Sequence, residues 1–240
     1  GDLDSIRQGG FLRGFPYLFP FANRVLRDGR EGFYEWEGKR YEMDIHGFAC
    51  RSSWEVLSTE AKEDSARVVL ALDDSAETRK NYPWAFRVEL AYVLRRDSLT
   101  IDQRVWNHSD STMPLSPGWH PYLRVPLTPK GNKGACLLRV PGKTELGIDP
   151  ESCAMNGQRF PFRDQETPLA RHGATGKYIT DLTEPRVSLF DPAAAVGIEM
   201  DLRGPNGALA WPYILTWTPS DGDPFFCVEP YEGGTDAVHN

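Results

Sequence analysis

The feature that most constrains the fold is a pair of adjacent segments in which apolar residues alternate with other residues. The first covers residues 85–94, and residues 98–106 repeat the pattern through Leu99 and Ile101. Alternation places every second side chain on the same face of a strand. The short polar connection at residues 95–97 allows the two segments to pair directly. We therefore predict an antiparallel β-hairpin at this point of the chain.

The rest of the chain favours more strands and few helices. Its 240 residues include 19 prolines and 22 glycines spread throughout, and both residue types interrupt helices. No segment shows a convincing amphipathic helical period. We predict a short hairpin at residues 32–43 and strands at residues 135–140, 186–190, 197–202, 208–217 and 224–228. Many short strands separated by polar turns indicate an all-β fold, either a sandwich or a barrel.

The sequence contains no internal repeat, low-complexity tract or linker, so residues 1–240 are predicted to form a single domain. Because the chain begins with Gly1 and stops at Asn240 without a terminal signal, we expect it to be trimmed at one or both ends. The net charge of -7, without a long basic run, argues against nucleic acid or an anionic membrane as a partner. No apolar run reaches the ~20 residues that span a bilayer.

The cysteines are scattered along the chain and form no Cys-x-x-Cys pair. The four are Cys50, Cys136, Cys153 and Cys227. Neither a zinc site nor a disulfide framework is predicted from this spacing. Reduced thiols favour a cytoplasmic protein, although four cysteines could also pair in an exported one.

The stretch Gly118-Trp119-His120-Pro121-Tyr122 is the first candidate for chemistry. Histidine exchanges a proton near neutral pH without special tuning, and the proline fixes the backbone beside it. These five residues alone favour the alternative, a histidine that is only hydrogen-bonded at a strand end. Trp119 offers a flat ring that can stack on the face of a sugar.

Glu229 is the second candidate. It follows the apolar run Phe225-Phe226-Cys227-Val228, and Pro230 is expected to end the strand. Burial at that position would raise the pKa of the carboxyl group and make it a usable base near neutral pH. A salt-bridged strand terminus is the alternative. Together with an imidazole, this carboxylate would form an acid/base pair, provided that the fold unites them.

Other ionisable residues lie beside glycine or proline or at predicted strand ends, where β-proteins place binding loops. They are His46, Asp181, Arg24 and Arg51. His172, in a glycine-bearing loop, is expected to be exposed to solvent. The chain has no nucleophile elbow, phosphate-binding loop, His-Glu-x-x-His motif or dinucleotide fingerprint, so hydrolysis through a nucleophile and nicotinamide chemistry lack support.

Several segments, in the same order, resemble blocks of the aldose 1-epimerase (galactose mutarotase-like) family. They are residues 14–24, which end in Asn-Arg; residues 45–49, which contain His-Gly; residues 107–122, which end in Gly-x-His-Pro-Tyr; and residues 217–218 with 226–230, which contain a glutamate. The resemblance implies a large antiparallel β-sandwich. It also implies interconversion of the α and β anomers of a free aldose, without a metal or an organic cofactor.

By this resemblance, Glu229 takes the proton of the anomeric hydroxyl while His120 donates one to the ring oxygen, and the transfers reverse on ring closure. His46 and Arg24 would contact sugar oxygens. Asp181 occupies about the place of a substrate-binding aspartate, within a motif that matches loosely.

The chain departs from the family pattern at two points. The family often has an arginine where Cys50 stands, and here the cation is the next residue, Arg51. The family also has strands before the first block and after the last, some of which this sequence lacks. Three alternatives stay open: a hexose 6-phosphate mutarotase, a carbohydrate-binding or sensing protein without turnover, and a lyase of similar architecture. The partner in the first two is a small-molecule sugar, and the oligomeric state is not defined by the sequence.

Overall fold

A computed structural model describes residues 14–27, 29–149, 154–173 and 176–239. Within these ranges the chain is nearly all β, and every pair of named strands is antiparallel, which confirms the predicted fold class. The described residues form two compact units. The first takes residues 14–32, 44–50 and 115–239, and the second takes residues 33–43 and 51–114. None of the described helices is long and apolar enough to cross a membrane.

Most strands belong to the first unit. Its strands are β1 (Tyr17–Leu18), β2 (Leu26–Arg27), β3 (Arg30–Glu31), β10 (Gly118–Trp119), β11 (Tyr122–Arg124), β12 (Leu137–Arg139), β13 (Thr144–Ile148), β14 (Met155–Pro161), β15 (Glu166–Pro168), β16 (Lys177–Thr180), β17 (Arg186–Asp191), β18 (Val196–Asp201), β19 (Tyr213–Trp217) and β20 (Phe225–Tyr231).

The second unit contains β4 (Phe33–Trp36), β5 (Lys39–Glu42), β6 (Glu55–Ala61), β7 (Ser65–Asp73), α1 (Thr78–Asn81), β8 (Phe86–Arg95) and β9 (Leu99–Asn107). Short 3-10 helices cover Ala49–Arg51, Lys133–Ala135 and Leu169–Arg171.

Two sheets of the first unit pack face to face. An eight-stranded sheet has the order β1-β10-β20-β19-β16-β13-β14, with β11 also paired to β20, and a four-stranded sheet has the order β15-β12-β17-β18. Side chains such as Ile179, Ile214 and Phe226 from the larger sheet meet Leu138 and Leu189 from the smaller one in a buried apolar core. Because side chains alternate along a strand, the residues that stand between these core residues lie on the opposite face of the eight-stranded sheet, away from the smaller sheet.

The second unit is built on local pairing. Strands β6, β7, β8 and β9 form a four-stranded meander, and β8 and β9 pair from Phe86 with Asn107 to Leu94 with Leu99. The predicted hairpin about residues 95–97 is therefore confirmed, and the backbone N–H of Arg95 donates to Ser98 across the turn. The predicted hairpin at residues 32–43 is also present as β4 and β5.

Three local predictions were wrong. Of the predicted strand at residues 208–217, only Tyr213–Trp217 is extended into the sheet. His172 is buried, 4% exposed, because its Nε2 is 2.8 Å from the hydroxyl of Thr167 and its ring lies against Phe226. Strand β20 does not stop at Pro230 but continues to Tyr231.

The continuation through Pro230 has a simple cause. On one side, β20 pairs with β11 only through residues 225–227 and with β10 only at residue 231. No ladder hydrogen bond is therefore required from residue 230 on that side, and a residue without an N–H group is tolerated. Glu229 consequently lies within the strand rather than at its end.

Cys136 and Cys227 are free thiols, and Cys50 is not in a disulfide bond. Cys153 lies outside the described residues.

Candidate active site

The gap between β10 and β11 positions His120. Both strands pair with β20, one on each side of the gap, and His120-Pro121 connects them. The backbone N–H of His120 donates to the carbonyl of Pro16 at 3.0 Å. Gly118, just before, faces Tyr231 so closely that an added Cβ would lie 2.3 Å from the tyrosine ring. The glycine therefore allows β10 to approach β20, which brings the imidazole toward that strand.

Glu229 lies opposite this gap. Because Phe226 and Val228 point into the core between the sheets, the alternate residues Cys227, Glu229 and Tyr231 point to the other face of the sheet. The Oε2 atom of Glu229 is 3.4 Å from Nε2 of His120, and the two residues are 0% and 5% exposed. Two of the predicted residues, far apart in sequence, thus come together in a buried pair.

Tyr231 holds the carboxylate from the same strand. Its hydroxyl donates a hydrogen bond to Oε2 of Glu229, and the tyrosine is completely buried. The other oxygen, Oε1, is also buried and has no hydrogen-bond partner among the residues that the structure describes. The carboxylate therefore has one fixed oxygen and one oxygen that can accept a bond from a ligand.

Burial shifts both members of the pair toward their neutral forms. It raises the pKa of Glu229 to about 8, and the hydrogen bond from Tyr231 opposes part of this rise. It lowers the pKa of His120 to about 3. Both shifts have the same cause, since a charge in this site loses its hydration. Burial therefore favours a neutral pair, with a single proton on Glu229, over an ion pair.

Aromatic rings enclose His120. The ring of Tyr122 stacks on the imidazole, with centroids 4.6 Å apart and planes 4° apart. Trp217 meets the imidazole edge to face at 6.0 Å, and Phe225 contacts the rings of both Tyr122 and Trp217. Such packing fixes the orientation of the imidazole and excludes water from one side of the pair.

His46 approaches His120 from another segment. Its ring centroid is 5.3 Å from that of His120, in an edge-to-face arrangement, and the residue is buried. The backbone N–H of Asn23 donates to Nδ1 of His46 at 3.1 Å, while the N–H of His46 donates to the carbonyl of Asn23 at 2.8 Å. Since Nδ1 accepts, the neutral ring carries its hydrogen on Nε2.

The side chain of Asn23 extends this set of contacts. Its Nδ2 donates to the hydroxyl of Tyr178 at 2.7 Å, and that hydroxyl is 2.9 Å from Oγ1 of Thr235. Tyr178 pairs with Leu215, which pairs with Glu229. The loop that carries His46 is thereby tied to the same sheet that carries the carboxylate.

The two predicted cations lie in different surroundings. Arg24 follows Asn23 directly, and its Nε is 2.5 Å from a carboxylate oxygen of Glu31, so its charge is paired. Its side chain is 28% exposed. Arg51 is exposed and is the last residue of the 3-10 helix Ala49–Arg51. Of that helix, only Arg51 belongs to the second unit.

Trp119 and Asp181 make contacts with residues other than His120 and Glu229. Trp119 packs against Phe15 at 5.3 Å and Tyr17 at 4.8 Å between ring centroids, and is 5% exposed. The carboxylate of Asp181 accepts hydrogen bonds from Thr144 at 2.6 Å and from Arg159 at 2.7 Å. The pKa of this carboxyl group is lowered mainly by the bond from Thr144. Sugar binding by either residue stays a prediction.

Sequence reasoning did not select Tyr231, Trp217 or Cys227. Cys227 and Tyr231 could have been found from the sequence, because each stands two positions from Glu229 and must share its face of the strand. Trp217 stands in a block that carries the family resemblance, but nothing in the sequence shows that it pairs directly with Cys227 across the sheet.

A surface depression of about 420 Å³ lies on the smaller sheet, lined by Leu137, Arg139 and Phe190 among others, and it includes none of the predicted site residues.

An antiparallel β-sandwich that buries an imidazole against a carboxylate defines a protein equipped for acid/base chemistry on a small molecule. The family model for aldose 1-epimerase matches residues 10–239, and the chain belongs to that family.

The chain is also similar to individual known proteins. The uncharacterized protein YphB of Escherichia coli (strain K12) is 26% identical over 94% of this chain and 74% of its own length. The structure of Slr1438 from Synechocystis sp. PCC 6803 has a TM-score of 0.75 at 27% identity, covering 94% of this chain and 70% of that one. A galactose mutarotase related enzyme from Lactobacillus acidophilus has the same fold, with a TM-score of 0.78 at 23% identity over 94% of this chain and 75% of that one.

Proposed function

We propose that this protein is a mutarotase, which interconverts the α and β anomers of a free aldose by opening and closing the sugar ring. The observation that carries the proposal is the buried contact of 3.4 Å between Nε2 of His120 and Oε2 of Glu229. Anomer exchange requires one group that takes a proton and one that gives a proton, with the roles exchanged on ring closure. This pair supplies both.

The proton inventory of the site fits a cycle of this kind. Before ring opening, the single proton of the pair lies on His120 and Glu229 is ionised, a state favoured by hydrogen bonds from the bound sugar. Glu229 then removes the proton of the anomeric hydroxyl while His120 gives its proton to the ring oxygen. The ring C–O bond breaks and an aldehyde forms. The carboxyl group and the imidazole are now both neutral, which is the form that burial favours.

Ring closure reverses these transfers after rotation of the aldehyde. The carboxyl group of Glu229 returns its proton to the carbonyl oxygen as the ring hydroxyl attacks, and His120 accepts the hydroxyl proton. No proton is gained or lost over the cycle. His46 contributes a hydrogen-bond donor through Nε2, and the aromatic rings of Tyr122 and Trp217 limit the access of water.

The test is an NMR exchange measurement of α/β interconversion over a panel of aldoses and their 6-phosphates. We expect His120→Ala and Glu229→Gln each to lower the catalysed rate by roughly 10²–10⁴-fold, the range for a lost general acid or base. His172→Gln is the matched control because it changes a buried histidine outside the pair. Wild-type exchange rates in folded His120 and Glu229 variants would refute the proposal.

The same panel separates the alternatives. A phosphorylated substrate requires cations that are free to bind phosphate, and Arg24 is already paired with Glu31. We therefore expect the free aldose to be preferred. Sugar binding without any acceleration of anomer exchange would instead indicate a binding or sensing protein.

A further inference from the structure

We propose that His120, Cys227 and Glu229 also form a binding site for a thiophilic divalent cation, with Zn²⁺ as the representative ion. The proposal has a second part that rests on the proposed function: an ion bound there blocks mutarotation, because it occupies both members of the acid/base pair.

The three side chains converge from strand β20 and from the connection between β10 and β11. Within the part of the chain that the structure describes, they offer one imidazole nitrogen, one sulfur and one carboxylate oxygen, all within 4.8 Å of one another and all buried. Cys227 and Glu229 are two positions apart on β20 and so share a face, while His120 enters through the gap beside that strand. Zn²⁺ bonds of about 2.0–2.3 Å place tetrahedral ligand atoms roughly 3.5 Å apart. The widest separation in the ligand set therefore needs to contract by up to about 1.3 Å.

A second observation points to a ligand at this place. Glu229 is 0% exposed, yet its Oε1 atom has no hydrogen-bond partner among the described residues. The other oxygen is held by the hydroxyl of Tyr231. A ligating carboxylate with one oxygen fixed by an outer hydrogen bond and the other directed to the ion is a common arrangement in metal sites.

Charge balance favours the bound state. A divalent cation together with a thiolate, a carboxylate and a neutral imidazole has no net charge, which suits a buried site. The ion displaces the thiol proton of Cys227 and the proton that His120 and Glu229 share, and both protons leave to solvent. Nitrogen and sulfur ligands favour Zn²⁺ and Cd²⁺ over Mg²⁺ and Ca²⁺. Three protein ligands also leave a fourth position open to water or to a sugar oxygen.

The first experiment measures binding without any sugar. Metal-free protein, kept reduced with a phosphine, is titrated calorimetrically with Zn²⁺, with Mg²⁺ as the reference ion. Cd²⁺ is titrated in parallel, and the ultraviolet charge-transfer band of a cadmium–thiolate bond is followed. We expect one equivalent of Zn²⁺ to bind, no comparable binding of Mg²⁺, and a cadmium–thiolate band.

Matched variants assign the ligands. Cys227→Ser should weaken Zn²⁺ binding by at least the ~10–100-fold that even outer-shell changes cause and remove the cadmium band. Cys136→Ser, at another buried free thiol, should change neither. His120→Gln is the second ligand variant, so the test stands if Cys227→Ser does not fold. Equal Zn²⁺ affinity in the wild type and in a folded ligand variant, or wild-type Zn²⁺ affinity no greater than that for Mg²⁺, would overturn the proposal.

Inhibition is measured separately. One equivalent of Zn²⁺ should abolish anomer exchange in the wild-type protein and in Cys136→Ser, and a chelator should restore it. If Zn²⁺ binds through Cys227 but the metal-free protein shows no exchange with any aldose, the proposed function fails and the metal site stands. If the metal-free protein is active and binds no Zn²⁺, the metal site fails alone.

Discussion

Removing one hydroxyl group, in Tyr231→Phe, tests how the carboxylate is tuned. In the wild type this hydroxyl donates to Oε2 of Glu229, and such a bond stabilises the ionised carboxylate relative to the protonated form. The ring of Tyr231 is completely buried, and phenylalanine retains nearly the same shape. The substitution therefore removes the hydrogen bond while the packing around it is largely kept.

The expected shift follows from the energy of one bond. A hydrogen bond to a charged group contributes about 1.5–3 kcal/mol, and one pKa unit corresponds to about 1.4 kcal/mol. Loss of the bond should therefore raise the pKa of Glu229 by about 1–2 units above its wild-type value of about 8. The proposed cycle needs the proton that the pair shares, and this proton is lost as pH rises through that pKa. The alkaline limb of the activity profile should thus move to higher pH.

The assay is kcat/KM for anomer exchange from about pH 5 to pH 10, with the uncatalysed rate subtracted, since kcat/KM reports the ionisations of the free enzyme. Tyr178→Phe is the control. Tyr178 is also buried and contacts Asn23 and Thr235 rather than the carboxylate, so its alkaline limb should stay in place. An unchanged or lowered alkaline limb in a folded Tyr231→Phe variant would refute the reasoning about the hydrogen bond. The measured values belong to the coupled pair rather than to one residue.

Three further predictions concern stability, and urea unfolding measures each of them. Because the pKa of Glu229 rises from 4.5 to about 8 on folding, the folded state loses stability as pH rises across that interval. Glu229→Gln should remove this loss and raise the free energy of unfolding at pH 8 by a few kcal/mol relative to the wild type. Parallel curves of unfolding free energy against pH for the variant and the wild type would contradict this prediction. Folding lowers the pKa of His172 from 6.5 to about 4, so the folded state loses stability as pH falls across that interval. His172→Gln should reduce this loss. If the variant and the wild type lose stability identically in acid, protonation of His172 is not the cause. Gly118→Ala places a Cβ 2.3 Å from the ring of Tyr231 and should cost about 1–3 kcal/mol through overpacking, whereas an unchanged midpoint would show that β10 shifts freely.

The local parts of the fold could be predicted from the sequence. The hairpin of β8 and β9 is encoded by alternation over adjacent segments, with the turn between them, and both strands formed close to the predicted limits. The error at β20 has a different origin. Pro230 removes a backbone donor, which usually ends a strand, but the cost depends on whether a neighbouring strand needs that donor. On the side of β20 where this donor is not needed, the neighbours β10 and β11 come from residues more than 100 positions away, and local patterns do not contain that information.

The same distinction applies to the site. Two residue types suited to acid/base chemistry could be selected from the sequence, and the fold brings His120 and Glu229 together. The surroundings that tune them arise from pairings across the sheet. Trp217 comes near the imidazole because β19 pairs with β20, and His172 is buried because Phe226 and Thr167 meet over it. The spacing of residues along the chain predicts neither the contact of Trp217 with His120 nor the burial of His172.

Burial of His120 and Glu229 shifts their pKa values, and burying ionisable groups also costs folding free energy. Other contacts must therefore stabilise the site. Asn23 and His46 both adopt left-handed backbone conformations, with φ of 62° and 67°, which are unfavourable for residues other than glycine. Reciprocal hydrogen bonds join the two residues, and they hold the ring of His46 edge to face beside that of His120. The bond from Asn23 to Tyr178 then ties the strained loop to the sheet that carries Glu229. We infer that the backbone strain is retained because relaxing it would release His46 from its place beside the ring of His120 and break this connection.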